Sequence, residues 1–442
     1  MKNQIIFIVL ILTVFFACKK ASKENQKSQN VVTTDITNFW NAYDQIVTTQ
    51  YSVLQYHYLD SLYFKKGTAG LEGIIKARRY TAEEYINAIN TYPKFWNSIR
   101  ENTLQAANVG IQLQEGIEKL KTIYPELKPA KIYFSIGAFR TPGTTIDSLV
   151  LIGSELAMAD INTVTSEFPE NLSHLKPYFA TDPNKNLVFL NIHEYVHTQQ
   201  KARVYNLLSS VIYEGVAEFV TVKALNQPSP NPQITFGKNN AKRIREVFED
   251  EMFYVANFDK WLNGDEPNEF GMRDLGYYVG YQICENYYNQ AKDKKAAIKT
   301  MIELDYENES EIEAFIKTSN YFSTSLEVLE QNFESKRPTV IGIKPFENKS
   351  QNVDPKLKEI TIFFSEALDG YRTSVDLGNL GRDAFPEGTI NGRKWGKDNT
   401  SWTIPVALEP NKTYQIFITN NFRTTDNRPL KPYLIEFKTK NL

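Results

Sequence analysis

The sequence predicts an α+β protein in which a mainly helical domain with a small β-sheet is followed by a β-sandwich. In residues 36–335 apolar side chains recur at intervals of three and four, which is typical of amphipathic helices. Residues 338–442 instead contain short apolar runs between clusters of Pro, Asn, Gly and Asp, which is typical of strands and turns. A chain of 442 residues, 42% of them hydrophobic, is long enough to build two such cores.

The N-terminus predicts export. In residues 1–17, Lys2 precedes the apolar run IIFIVLILTVFFA, which is shorter than the roughly 20 residues of a membrane span and suits a signal peptide. The Ala before Cys18 and the polar residues after it resemble a bacterial lipoprotein signal, which implies a lipidated Cys18 and an extracytoplasmic anchor in the bacterial cell envelope. Residues 18–35, rich in Lys, Ser, Asn and Gln, predict a flexible tether. The alternative is an ordinary secretory signal with an incidental Cys.

The first predicted helices lie between residues 35 and 126, and Thr81 with Glu84 predicts a capping box for one of them. KIYFSIGAF (131–139) and SLVLIGSELAMA (148–159) predict two strands joined by a turn. Further helices are predicted at residues 186–226, 239–261, 273–290, 294–304 and 323–334. The sandwich strands are predicted in VIGIKPF, EITIFFSEAL, TSWTIPVAL, TYQIFIT and YLIEFKT.

Charge and cysteine content exclude several classes of protein. Lys and Arg number 50 and Asp and Glu 52, so the chain lacks the basic field that nucleic-acid binding needs, and no nucleic-acid partner is expected. Only two Cys are present, and a lipidated Cys18 leaves Cys284 without a disulfide partner. The apolar surroundings of Cys284 predict a buried, inert thiol.

Two of the four His stand four residues apart in His193-Glu194-Tyr195-Val196-His197. On a helix this spacing stacks the two imidazoles on one face, where both can reach one zinc ion. Glu194, the next residue in the chain, points around the helix and can act as a general base toward an attacking water. The alternative is a helix that carries two half-buried His without a ligand.

A zinc site with two His needs a third protein ligand, and the next predicted helix offers two carboxylates. Glu214 and Glu218 follow His197 by 17 and 21 positions, so a turn near Asn206 would return the chain to the metal. Both acids lie on one helix face. One can therefore bind the metal while the other accepts the N–H of a ligating imidazole.

HEYVH together with EGVAEF resembles the gluzincins, the HExxH zinc metallopeptidases whose third ligand is Glu. The resemblance implies one Zn²⁺ per chain in a zincin-like domain, with Glu214 as the ligand and Glu218 as the acid that orients a His. Tyr277 stands in Tyr-Tyr-Val-Gly, which resembles the segment that offers a phenol to the reacting carbonyl. Tyr278 and Tyr281 are rivals for that role, and aromatic packing is the plain alternative.

Residues 36–335 also resemble the bacterial predicted zinc-dependent protease family and a related lipoprotein family tied to gliding motility. The resemblance rests on HEYVHTQQ, YEGVAEF, LGYYVGYQI, KKGTAGLEGIIKARR and FWNSIRENT. By analogy with gluzincins, residues 148–156 are predicted to form the strand beside an extended substrate, with Gly153 allowing a close backbone approach. Residues 338–442 resemble bacterial Ig-like domains, whose expected role is spacing or binding a cell-surface ligand.

The sequence therefore predicts a membrane-anchored extracytoplasmic zinc metallopeptidase that acts on a peptide or protein substrate. His193, His197 and Glu214 would hold the metal, and Glu194 would take the proton of the attacking water. The alternative is a non-catalytic surface lipoprotein, a scaffold, adhesion or motility component, in which the zinc site is structural or a relic.

Overall fold

A computed structural model describes residues 30–262, 264, 268–388 and 391–441. The α+β class is confirmed. The helices are α1 (Thr34–Ile46), α2 (Ser52–Leu62), α3 (Ala69–Arg78), α4 (Ala82–Thr91), α5 (Pro93–Leu104), α6 (Ala106–Ile123), α7 (Ser154–Ala157), α8 (Leu175–Phe179), α9 (Leu187–His197), α10 (Leu207–Leu225), α11 (Pro232–Asn239), α12 (Ala241–Glu251), α13 (Phe258–Trp261), α14 (Gly276–Gln290), α15 (Lys294–Glu303), α16 (Glu309–Ser319) and α17 (Leu326–Lys336). The strands are β1 (Val31–Val32), β2 (Lys131–Ser135), β3 (Gly143–Ile146), β4 (Leu149–Gly153), β5 (Val340–Lys344), β6 (Glu359–Phe364), β7 (Val375–Asp376), β8 (Lys394–Trp395), β9 (Ser401–Pro405), β10 (Thr413–Ile418) and β11 (Tyr433–Lys438).

The chain divides into two compact units. The first contains the residues up to Ile117 together with Pro129–Val188, and the second contains Glu118–Lys128 and Phe189–Leu442. The residues on both sides of the predicted boundary between residues 335 and 338 lie in the second unit.

The first unit is built on a four-stranded sheet in the order β1-β2-β4-β3. β2 and β4 pair in parallel, and the link between them forms β3, which pairs antiparallel with β4. The two predicted strands are therefore present as β2 and β4, but the predicted turn between them is wrong, because the link forms a third strand. The prediction that residues 148–156 form an open edge is also wrong, since β4 is paired on both sides. A Cβ at Gly153 would lie 2.1 Å from the carbonyl oxygen of Thr141, so the close approach comes from the chain itself.

Aromatic side chains fill the space between this sheet and its helices. Phe39 of α1 lies 5.1 Å from Trp96 of α5 and 5.3 Å from Tyr63, ring centre to ring centre. The hydroxyl groups of Tyr63 and Tyr85 both donate to the carbonyl of Ile136 at the end of β2. The buried phenols thus satisfy their polar ends on the sheet backbone.

Local signals placed the early helices correctly. The predicted capping box of α4 is confirmed: Thr81 accepts the N–H of Glu84, and the Glu84 carboxylate accepts the N–H of Thr81. The last residues of the segment predicted as a tether belong to the fold, because β1 pairs in parallel with β2 and α1 begins at Thr34. The predicted signal peptide, Cys18 and the tether up to residue 29 lie outside the described residues.

In the second unit, α10 and α14 cross closely because each presents a glycine to the other. A Cβ at Gly215 would lie 2.1 Å from the carbonyl carbon of Gly280, and a Cβ at Gly280 would lie 1.9 Å from the carbonyl oxygen of Val211. Any side chain at either position would push the two helices apart. Cys284 of α14 is free and buried, as predicted.

Residues 338–441 form two antiparallel sheets, β5-β6-β9-β8 and β11-β10-β7, which share one hydrophobic core. Trp402 and Ile362 come from the first sheet, and Ile416 and Phe437 from the second. The predicted β-sandwich is therefore present. Within the described part of the chain, no helix is both long enough and apolar enough to cross a membrane.

Candidate metal centre

α9 and α10 carry the residues predicted to bind metal. In α9, Phe189, Ile192 and Val196 are buried, and this packing turns the face of His193 and His197 toward α10. The chain leaves α9 after His197, and α10 begins after Asn206. The Asn206 side chain accepts the N–H of Ser209 at 2.8 Å as an N-cap.

The Nε2 atoms of both imidazoles and one oxygen of Glu214 converge. His193 Nε2 lies 3.1 Å from His197 Nε2, and Glu214 Oε2 lies 3.2 Å from His197 Nε2 and 3.5 Å from His193 Nε2. A tetrahedral ion with bonds of 2.0–2.1 Å needs ligand atoms roughly 3.3 Å apart. Among the described residues, these three form the group of His, Cys and acidic side chains that could hold a metal ion.

His193 is oriented by Glu218, which has no exposed surface. His193 Nδ1 lies 3.0 Å from Glu218 Oε2, and the same carboxylate accepts hydrogen bonds from the Ser229 hydroxyl and from Asn231 Nδ2. The contact places the imidazole proton on Nδ1 and leaves the Nε2 lone pair for a metal.

His197 is oriented in the same way by an amide instead of an acid. Its Nδ1 lies 2.6 Å from Gln200 Oε1. Gln200 in turn donates from Nε2 to the carbonyl of Tyr213 at 3.0 Å and to the Tyr306 hydroxyl at 2.9 Å. Because the Gln200 amide nitrogen already donates to two oxygens, its oxygen is the atom that accepts from His197.

Arg203 approaches the cluster from the loop between the two helices. The Tyr213 ring stacks on His197 with centroids 4.5 Å apart and planes 7° apart, and the Arg203 guanidinium lies 4.4 Å from the Tyr213 centroid. Arg203 also lies 3.5 Å from Glu214 Oε1, the carboxylate oxygen that does not face the imidazoles. Glu214 therefore turns one carboxylate oxygen toward the imidazoles and the other toward Arg203.

The cluster is strongly coupled electrostatically. Burial favours the neutral form of His193, but Glu214 and Glu218 outweigh it and raise the pKa of His193 to about 10. Burial alone would raise the pKa of Glu214, yet His197 and His193 hold it well below its usual value. The site thus favours a carboxylate with positive charge beside it, the charge pattern that a bound cation would also satisfy.

Tyr277, at the start of α14, faces the cluster. Its ring centroid lies 6.1 Å from that of His193. Burial, together with the charges of Glu214 and Glu194, holds the pKa of the Tyr277 phenol well above its usual value. Burial raises the pKa of Tyr213 to about 12, and the charge of Glu194 adds to the pKa increase of both phenols.

The two rival tyrosines face elsewhere. Tyr278 packs where a side chain on Gly237 would stand, and the Tyr281 hydroxyl donates to Glu285 at 3.2 Å. Sequence analysis did not identify Gln200, Arg203 or Tyr213. Of these, Gln200 alone had a local signal, since it follows His197 by three residues and carries an amide.

Residues 19–323 match the family described as Gliding motility protein GldB. The chain belongs to this family. The family places it in the bacterial cell envelope as a lipid-anchored, extracytoplasmic protein. The family description names motility and no reaction.

No curated protein was found to be similar to the chain. Two similar solved structures are the S-layer protein rSbsC, with 10% identity and a TM-score of 0.18, and domains 1–6 of surface layer protein SbsC, with 12% identity and a TM-score of 0.16. In both cases the similarity covers 65% of this chain and 39% of the other, so the chain spans well under half the length of these structures.

Proposed function

We propose that this chain is a gliding motility component of the cell envelope that holds one zinc ion at His193, His197 and Glu214. The proposal of a zinc ion is supported by the triangle of predicted ligand atoms. Its edges of 3.1, 3.2 and 3.5 Å match those of a tetrahedral zinc site. The family match supports the motility role.

The protonation pattern around the triangle supports a cation at its centre. Both Nδ1 atoms face acceptors, so in neutral imidazoles both Nε2 atoms carry lone pairs. Two lone pairs and a carboxylate oxygen at about 3 Å repel one another unless a positive charge lies between them. A proton can occupy that place in the absence of metal, and zinc would displace it.

In this role the ion would join α9 to α10. Binding only to the folded chain stabilises it by mass action, by about 4 kcal/mol at a free zinc concentration of a thousand times Kd. The ion would thereby stabilise the second unit, which also contains the sandwich.

The test is metal content and thermal stability of the purified full chain. We expect one zinc per chain by mass spectrometry and an unfolding temperature that falls by several degrees in a chelator. His197→Ala should lose the metal and the chelator effect, while the control His57→Ala, at an exposed position of α2, should keep both. A full chain that binds no zinc with affinity better than millimolar contradicts the proposal.

A second candidate function, peptide hydrolysis, is favoured by Tyr277, whose ring lies 6.1 Å from that of His193, and by Glu194, whose charge acts on the Tyr277 phenol. A bound zinc would supply a Lewis acid that polarises the peptide carbonyl and acidifies water. Glu194 would accept the proton of the attacking water and pass it to the leaving amine. The Tyr277 phenol, kept protonated by its raised pKa, would donate a hydrogen bond to the developing oxyanion.

Glu194→Gln separates the two functions, because it removes the base and keeps the three ligands. If the chain is a peptidase, this variant should retain zinc and lose cleavage of a peptide library by about 10²–10⁴-fold. Motility of a deletion strain supplies the second measurement. Rescue by Glu194→Gln, with no rescue by His197→Ala, would assign the zinc a structural role. Failure of both variants would assign it a catalytic one.

A further inference from the structure

The turn from α1 to α2 exposes an apolar surface that the fold does not use. Val47, Tyr51, Val53, Leu54 and Tyr56, named here the α1–α2 tip, are all exposed, Tyr51 by 76% and Val53 by 79%. The fifteen residues from Gln45 to Leu59 contain no Asp, Glu, Lys or Arg, although 23% of the chain is charged. A group of exposed apolar side chains without charge commonly marks an interaction site.

Near its N-terminal end, α2 buries a polar side chain and exposes apolar ones. The buried face carries Gln55, which is 3% exposed, while Val53 and Leu54 point outward. Gln55 and Asn90 of α4 exchange two amide hydrogen bonds of 3.0 Å each, and Gln55 also donates to the carbonyl of Thr49 at 2.9 Å. Side-chain amides thus hold the turn on its buried side.

The composition of the tip indicates what it contacts. It combines tyrosines with aliphatic side chains and lacks charge, as do segments that lie at the boundary between lipid headgroups and acyl chains. A protein partner with a charged rim would leave those charges without counterparts here.

The chain outside the described residues puts a membrane within reach. Eleven residues, 19–29, lie between the lipidated Cys18 and Asn30, and this stretch spans at most roughly 40 Å when extended. α1, with 13 residues, then covers roughly 20 Å between the point where the chain enters the fold and the tip. Anchor and tip can therefore touch the same lipid surface.

We propose that the α1–α2 tip is a membrane-docking surface that places the side chains of Tyr51, Val53, Leu54 and Tyr56 in the lipid interface beside the anchor. The lipid anchor raises the local concentration of membrane, so a small apolar patch suffices for docking. Docking gives the first unit a fixed face toward the bilayer. It does not depend on the metal centre.

The test uses the full lipidated chain reconstituted in vesicles of phosphatidylcholine and phosphatidylglycerol in equal parts. Val53→Cys carries an environment-sensitive fluorophore, and Ile161→Cys, exposed by 66% in the same unit, is the matched control. Labelling is selective, because Cys18 is acylated and Cys284 is buried. We expect the emission at position 53 to shift to shorter wavelength and to be quenched by doxyl lipids, and the emission at position 161 to do neither.

Salt distinguishes the lipid interface from headgroup charge. Because the tip is uncharged, quenching at position 53 should be unchanged when ionic strength rises. Absence of quenching at 53, or equal quenching at 53 and 161, overturns the proposal. A shift at 53 that follows the protein density in the vesicles and not the doxyl lipid would assign the tip to a second copy of the chain, which also overturns it.

Discussion

Glu155 is a carboxylic acid without exposed surface at the start of α7. Its two oxygens accept the N–H groups of Gly137 at 2.7 Å and Phe139 at 3.2 Å. Burial raises the pKa of this carboxyl to about 7, and the backbone N–H groups lower it by less. The folded chain therefore keeps a proton here that the unfolded chain releases in mild acid.

The free energy of unfolding should consequently fall as pH rises from 4.5, the ordinary value, to about 7, the folded-state value. Below this window both states are protonated and above it both are ionised, so this group adds no further change. The difference of roughly 2.5 pH units corresponds to about 3 kcal/mol. Urea unfolding of Glu155→Gln and wild type across this range should show that difference, and the exposed control Glu115→Gln should follow the wild type. An unchanged slope in Glu155→Gln would show that the group ionises equally in both states.

At the scale of residues, local spacing was sufficient to predict which side chains of the candidate metal centre come together in part of the site. His193 and His197 share a face because any helix places positions i and i+4 together, and Glu214 follows at the distance that a helix pair requires. Arg203 could not be predicted, because its position depends on the path of the loop 198–206 and on stacking against Tyr213. Loops without a periodic pattern give no such geometry from sequence.

At the scale of elements, the crossing of α10 and α14 positions the site. Gly215 follows Glu214, and Gly280 follows Tyr277 by three residues, so the glycines of both motifs lie at the helix contact. Their lack of side chains lets the two backbones meet, and this brings the start of α14 to the predicted metal ligands.

Gly280→Ala should therefore reduce stability and displace Tyr277 together. A methyl group there would lie 1.9 Å from the carbonyl oxygen of Val211, which is backbone and cannot rotate away. We expect a loss of about 1–3 kcal/mol in urea unfolding. Gly342→Ala in β5, where nothing lies within 4 Å of the added carbon, is the matched control and should change stability by less than about 0.5 kcal/mol. Equal stability of the two variants would mean that the helices separate without cost.

Local sequence signals predicted some helices and strands correctly and failed for others. The capping box of α4 depends on four adjacent residues and was predicted correctly. The position of β4 inside the sheet depends on pairing with β2 and β3, which no local pattern encodes. α16 was missed although its signals are present, with Asn308 as N-cap and Ile312, Phe315 and Ile316 on its buried face.

At the scale of the whole molecule, the sandwich is attached to the helices of the second unit by side-chain hydrogen bonds as well as by the peptide chain. The Arg337 side chain, 12% exposed, donates from Nε to the carbonyl of Pro429 at 3.0 Å and from Nη2 to that of Leu430 at 2.8 Å. Arg428 donates in the reverse direction to the carbonyl of Lys336 at 2.7 Å. The change of sequence pattern near residue 336 therefore marks the change from helices to strands, and hydrogen bonds of both Arg side chains cross it.

Arg337→Ala should loosen this attachment. Two carbonyls would lose a charged donor, at a cost of about 1–3 kcal/mol. Calorimetry should then show the sandwich melting at a lower temperature than the helices of the second unit, instead of together with them. Arg382→Ala, at an exposed position within the sandwich, should leave the melting curve unchanged. If Arg337→Ala also leaves the curve unchanged, the attachment resides in other contacts.

Both imidazoles of the predicted metal centre are oriented by a hydrogen bond at Nδ1, His193 by Glu218 and His197 by Gln200, and neither partner is one of the predicted ligands. A receptor of preset shape loads and unloads its ion without rearranging the chain. Under the proposed function, the fraction of chains that hold zinc therefore follows the free zinc concentration outside the cytoplasm. Gliding would then depend on the zinc supply of the surroundings.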